Sequence, residues 1–167
     1  MDIEVFADGR VVHGGRTYAA SLGRAGILRD KHEGDGATPA GRWPLRRVLY
    51  RADRLPAPPG PLPVQAIRPE DGWCDAPDHP AYNRLVAKPF AASHEDLWRE
   101  DHLYDLVVVV GHNDDPPVPG RGSAIFMHLK RDDGGLTAGC VGLRQDDLVE
   151  LLGRLSADSC LRVHAAG

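Results

Sequence analysis

The chain has 167 residues, long enough for one substantial core, and its 42% hydrophobic and 26% charged content is ordinary for a soluble globular fold. A net charge of −4, with Asp and Glu scattered among the arginines, leaves no basic footprint, so nucleic acid is not an expected partner. No run reaches the roughly 18 apolar residues of a membrane span, and Met1–Phe6 alternates with early acids rather than reading as a signal peptide, so the chain is expected to be cytoplasmic as written or to lack an export segment.

Nineteen glycines and fourteen prolines predict short elements joined by many turns. Asp2–Ala7 and Arg10–His13 read as strands around the hairpin turn Asp8-Gly9. Gly14-Gly15 turns the chain into a third strand over Thr17–Ser21. Residues 31–41 form a loop with three glycines and a proline, and Trp43–Tyr50 is the next strand. Arg54–Pro63 is proline-rich but too short for an interdomain linker, so residues 1–167 are read as one domain. Gly72–Asn83 is irregular, and Ser93–Arg99 suits a short helix capped by Ser93. Leu106–Val110 is an apolar, mostly β-branched run, a strand buried on both faces. Beyond the turn-rich Gly111–Gly122, Ser123–Leu129 is a second core strand, with Ala124, Phe126 and His128 on one face and Ile125, Met127 and Leu129 on the other. Leu148, Leu151, Leu152 and Leu155 recur at helical spacing, behind Asp146 and Asp147, which suit the positive first turn. Cys160–His164 closes the chain as a strand. The expected class is mainly β, a sandwich or partly closed barrel with a small helical component.

The chemistry concentrates in His128–Leu143. Three cysteines (Cys74, Cys140 and Cys160) leave at least one thiol free. Cys140 follows Gly139 directly, and His128 ends a core strand twelve positions earlier. An imidazole can take a thiol proton and later return it to a leaving amine, while a glycine turn brings backbone N–H groups near the sulfur. On the residues alone, a buried inert cysteine and a satisfied core histidine explain the pattern equally well.

The stretch His128 … Thr137-Ala138-Gly139-Cys140-Val141-Gly142-Leu143 resembles the signature of L,D-transpeptidase catalytic domains of the YkuD type, in which a histidine precedes Ser/Thr-x-Gly-Cys and an aliphatic residue. Residues 31–41, with Thr38-Pro39-Ala40-Gly41, are similar to the family's Thr-Pro-x-Gly region; Gly72–Asp75, Tyr82-Asn83 and Gly111–Asn113 look like a compact branch. The resemblance implies that Cys140 is a nucleophile toward a peptidoglycan stem peptide and His128 its base. Gly139 and Cys140 would supply oxyanion-hole amides, and the Leu129 carbonyl, rather than Asp132 or Asp133, would orient the imidazole. Many members carry an arginine where this chain has Gly142; Arg144 is the nearest substitute.

Other candidate substrate contacts are Lys31, Asp35, Trp73, Asp75, Tyr82, Asn83 and Asn113, each with a bland alternative as a solvated turn or packing anchor. Cys74 and Cys160 read as packing residues, His112 as a histidine whose loop could approach the site, and the remaining histidines as surface. No C-x-x-C or H-E-x-x-H element points to a metal, and no phosphate-binding loop is present, so neither metal nor cofactor is expected. The expected partners are donor and acceptor stem peptides, with carbapenem-type inhibitors. The reaction is expected to be cross-linking through a Cys140 thioester. The alternatives are hydrolysis at the same site by an L,D-carboxypeptidase or amidase, or a non-catalytic peptidoglycan- or metal-binding module. Such a substrate implies the periplasm or cell envelope.

Overall fold

The computed structural model describes residues 1–166. Its elements in chain order are β1 (Ile3–Val5), β2 (Arg10–His13), β3 (Arg16–Ala19), β4 (Ile27–Leu28), β5 (Thr38–Pro39), β6 (Gly41–Tyr50), β7 (Val64–Ala66), β8 (Asp71–Cys74), β9 (Leu85–Ala87), β10 (His94–Asp96), β11 (Leu106–Val110), β12 (Phe126–Leu129), β13 (Val141–Leu143), α1 (Gln145–Arg154) and β14 (Cys160–Val163). The fold is mainly β.

The main sheet runs β13-β12-β11-β6-β14-β1-β2-β3, with β7 beside β6. It comes close to closing on itself. Past β3, Ser21 exchanges two 2.8 Å backbone hydrogen bonds with Gly142 of β13, and Gly23 bridges to Thr137. Joining the two ends of this mixed sheet, next to β3 and at β13, leaves little free edge. The interior is filled by one face of each strand, including Val108, Val110, Ile125, Met127, Leu129, Val141 and Leu143, together with Leu148, Leu151 and Leu152 of α1. The leucine stripe explains the helix: it covers apolar surface that would otherwise face water.

Both faces of β11 and β12 are buried, as their apolar runs require. On the outer face, Val107, Val109, Ala124 and Phe126 join a second cluster with Trp73, Leu97, Tyr104 and Cys140. A small sheet, β10-β8-β9, lies over this face, and Trp73 and Tyr104 both meet the Phe126 ring edge-on. The crevice between the two sheets holds the candidate site.

The expected short helix at Ser93–Arg99 is instead the strand β10, paired antiparallel with β8 through His94↔Cys74, Glu95↔Trp73 and Asp96↔Gly72. Ser93 Oγ donates to Asp75 at 2.6 Å rather than capping a helix. Cross-strand pairing outweighed a weak local preference, a common outcome where propensity is marginal. The irregular reading of Gly72–Asn83 likewise misses β8, whose four residues are all buried. Cys160, expected as buried packing, is half-buried, and His13, expected at the surface, is 4% exposed between the Asp2 and Arg154 carbonyls. Among the described residues no helix is long and apolar enough to cross a membrane.

Candidate active site

Cys140 and His128 line one cavity of about 340 Å³ between the two sheets. Their proximity follows from strand geometry. β12 and β13 pair in parallel with Met127↔Val141 and His128↔Gly142, so Cys140 enters β13 alongside Phe126. The Phe126 N–H donates to Cys140 Sγ at 3.4 Å. His128 follows Phe126 by one two-residue repeat, roughly 7 Å along the same face. Thiol and imidazole therefore open on the same side of the sheet.

The imidazole has a defined orientation. His128 Nδ1 lies 2.7 Å from the Leu129 carbonyl. A carbonyl only accepts, so Nδ1 carries the proton and the Nε2 lone pair is left basic. Asp132 lies against His102 and Asp133 against Arg131, so neither carboxylate orients the ring. Tyr104 meets the His128 ring edge-on, with centroids 5.4 Å apart.

The resting site is uncharged at the thiol. Cys140 is 9% exposed, and Sγ donates to the Ala124 carbonyl at 3.2 Å. Burial, with help from the Glu95 carboxylate, pushes the thiol up to about 12. Burial also pushes His128 below the usual histidine range, partly offset by its bond to Leu129. Both groups are neutral at pH 7. Limited alkylation with iodoacetamide at pH 7.5 is accordingly expected to modify the half-buried Cys160 first, with Cys140 at least about 100-fold slower because its thiolate fraction is so small. Peptide mapping that finds the first adduct on Cys140 would contradict this.

The turn holding the cysteine is built locally. Gly139 has φ +139°, and a Cβ there would lie 2.6 Å from the Ala37 carbonyl oxygen. Its N–H, expected as half of an oxyanion hole, instead donates to Thr137 Oγ1 at 3.1 Å, while the Thr137 hydroxyl donates to the Cys140 carbonyl at 2.7 Å. The Cys140 N–H has no protein acceptor among the described residues. Ala124, which presents its carbonyl to Sγ, has φ 53°, a conformation that costs an L-residue about 1 kcal/mol. Asn83 Oδ1 holds it there by accepting the Ala124 N–H at 3.0 Å and the Trp73 Nε1–H at 2.9 Å.

The other candidates divide into wall and scaffold. Lys31 and Asp75 line the cavity. Asp35 does not; it is the ion-pair partner of Lys31, with side-chain exposures of 6% for Lys31 and 20% for Asp35. Trp73 is a packing anchor. Tyr82 donates to Glu33 and accepts from the Gly122 N–H, Asn83 Nδ2 donates to the His112 and Asn113 carbonyls, and Asn113 binds the Val118 and Gly122 carbonyls. These side chains shape loops, having their polar atoms engaged internally. Arg144 sits at the N-terminus of α1, outside the cavity. Wall residues absent from the sequence reading are Glu33, Glu95, Arg99, Tyr104 and Lys130. Only the burial pattern of a correctly assigned β10 would have pointed to Glu95.

His112 is 6% exposed but lies outside this cavity, edge-on to Trp43 at 4.7 Å, and its Nδ1 has no hydrogen-bond partner among the described residues. Burial and then the Lys31 charge push it down to about 4. Between that value and 6.5 the unfolded chain binds a proton that the folded chain refuses, so stability is lost as pH falls through this window, by about 3 kcal/mol in all. His112→Phe keeps the ring and removes the titration. Urea unfolding should show a loss between pH 7 and 4.5 that is smaller by about 2 kcal/mol than in the parent, and identical pH profiles would refute the assignment.

A model of the L,D-transpeptidase catalytic domain (YkuD) matches residues 2–163. The chain belongs to this family. A search of curated proteins found no match. Among solved structures, a lysine-to-alanine variant of the helical cell shape determining protein Pgp2 from Campylobacter jejuni aligns at 15% identity with a TM-score of 0.41, covering 99% of this chain and 47% of that one. The chain thus spans about half the length of that structure.

Proposed function

We propose that the protein is a cysteine acyltransferase that forms a Cys140 thioester with a peptidoglycan stem peptide and transfers it to an acceptor amine as a cross-link. The observation that carries this reading is the shared cavity of Cys140 and His128, with His128 Nδ1 tied to Leu129 so that Nε2 is the free base. In the first step Cys140 Sγ attacks the carbonyl carbon as His128 Nε2 takes the thiol proton. Proton transfer accompanies attack, because both groups are neutral at rest. The unpaired Cys140 N–H is the candidate donor to the developing oxyanion. Collapse breaks the C–N bond, His128 returns the proton to the departing amine, and the thioester remains. The acceptor amine then gives a proton to His128, attacks the thioester and displaces the thiol, which recovers the proton.

The cavity size favours a second reading, hydrolysis as in an L,D-carboxypeptidase. A space of about 340 Å³ with a thiol 9% exposed admits water more readily than a second stem peptide. Incubation with purified monomeric muropeptides separates the two: dimers indicate transfer, and shortened monomers alone indicate hydrolysis. Unchanged muropeptides would contradict both. The envelope location follows from the substrate and belongs to the same proposal. With Gly142 bonded to Ser21 and Arg144 outside the cavity, substrate carboxylates fall to Arg24, Lys130 and Arg131 at its rim.

A further inference from the structure

The resting thiol hydrogen does not point at the base. Cys140 Sγ donates to the Ala124 carbonyl at 3.2 Å and accepts the Phe126 N–H at 3.4 Å, and among the described residues no hydrogen bond joins it to His128. The Ala124 carbonyl faces the sulfur from a residue with φ 53°, a left-handed backbone that alanine takes only under constraint. Asn83 is that constraint. It lies between β8 and β9, is 5% exposed, and has φ 58° itself, a conformation asparagine tolerates. Its Oδ1 accepts the Ala124 N–H at 3.0 Å and the Trp73 Nε1–H at 2.9 Å. Its Nδ2 donates to the His112 carbonyl at 3.1 Å and the Asn113 carbonyl at 2.7 Å. Donors face the oxygen and acceptors face the nitrogen, so the amide has one orientation and no spare capacity. A single side chain thus ties the small sheet, the loop after β11 and the entry to β12 together at the peptide that faces the nucleophile.

We propose that Asn83 is a positioning residue: by fixing the Ala124 peptide it latches the Cys140 thiol hydrogen onto a backbone carbonyl, so that His128 receives this hydrogen only once a bound substrate draws the sulfur away. On release, the S–H bond to the Ala124 oxygen breaks and one to His128 Nε2 forms. The proton then passes to Nε2 as the sulfur attacks, and Ala124 loses nothing but the hydrogen bond. A carbonyl oxygen accepts a thiol hydrogen and repels a thiolate, so its placement favours the protonated, inert form. The latch thereby shields the nucleophile from stray electrophiles between turnovers, and it gives the left-handed Ala124 a function.

The inference rests on the acyl-transfer reading for the role of the released proton, and its test needs no stem peptide. Iodoacetamide labelling at pH 7.5 is followed at each cysteine by peptide mapping. Asn83→Ala should alkylate at Cys140 about 3–10-fold faster than the parent, the size of one lost hydrogen bond. Adding His128→Ala should cancel that gain, because the freed thiol hydrogen is then offered to the imidazole. Asn83→Asp keeps an oxygen for the Ala124 and Trp73 N–H groups and should leave Cys140 within about 2-fold of the parent. Cys74, at 0% exposure, is the control for loosening. A merely structural role for Asn83 would open Cys74 along with Cys140 and give a gain indifferent to His128. An unchanged Cys140 rate in Asn83→Ala, a gain that survives His128→Ala, modification of Cys74 in step with Cys140, or an Asn83→Asp protein as reactive as Asn83→Ala overturns the inference. Should Asn83→Ala fail to fold, the infrared S–H stretch of Cys140, isolated by subtracting the spectrum of Cys140→Ala, decides the point. That band should be unmoved by His128→Ala and by Asn83→Asp, and a shift in either variant overturns the latch. A latched Cys140 that never acylates with stem peptides would instead sink the acyl-transfer reading and leave Asn83 in its role.

Discussion

His128→Ala is expected to lower kcat/KM for stem-peptide turnover by about 10²–10⁴-fold, the range typical of a lost general base. The size follows from the resting state. A thiol held up at about 12 cannot supply its own thiolate at neutral pH, so nearly all reactivity depends on the proton being taken during attack. The sign of the pH dependence follows too. Burial lowers His128, so the neutral base persists below the usual histidine range, and the acid limb of kcat/KM should fall below pH 6.5. No alkaline decline is expected up to pH 9 from the thiol, which stays protonated until far higher. Cys140→Ala should be more severe, with a loss of about 10⁴-fold or more, since among the described residues no other thiol lines the cavity. A His128→Ala enzyme within a few-fold of the parent would remove the imidazole from the mechanism.

Gly139→Ala is the substitution with the largest expected structural effect. The added Cβ would sit 2.6 Å from a backbone carbonyl, that of Ala37, and φ +139° is itself a conformation that side chains resist. Nothing flexible can yield, because Ala37 is fully buried and Gly23, between β3 and β4, packs against the same backbone. We expect a loss of about 2–4 kcal/mol and a melting temperature lower by roughly 5–12 °C. Turnover should fall as well, since the turn sets the direction of the Cys140 thiol. Differential scanning calorimetry settles the first point, and an unchanged melting temperature would show that the turn adapts.

The legible parts of the fold were those with strong local patterns. Asp8-Gly9 lies at a hairpin because an Asp-Gly pair turns readily, and Gly9 has φ 90°. Leu106–Val110 and Phe126–Leu129 carry enough apolar side chains to demand burial on both faces, and Leu148–Leu155 can cover the core only as a helix. The small sheet was not legible. β8, β9 and β10 are three or four residues long, so their pairing is decided by contacts far away in sequence, such as Glu95 against Trp73. That omission hid Glu95 from the candidate site, although Cys140, His128 and the Leu129 carbonyl were reached from the motif. Tyr82, Asn83 and Asn113 fell on the wrong side of the same divide. Their polar groups looked available in the sequence, yet the loops they build take up the hydrogen bonds.

The proposed mechanism requires a thioester at one sulfur, and intact-mass spectrometry reads it directly. Protein mixed with a carbapenem, and separately with an excess of donor tetrapeptide, is quenched in acid and weighed. A single covalent adduct is expected that maps to Cys140 and is absent from Cys140→Ala. Identical spectra for the two proteins, or an adduct on Cys74 or Cys160, would contradict it.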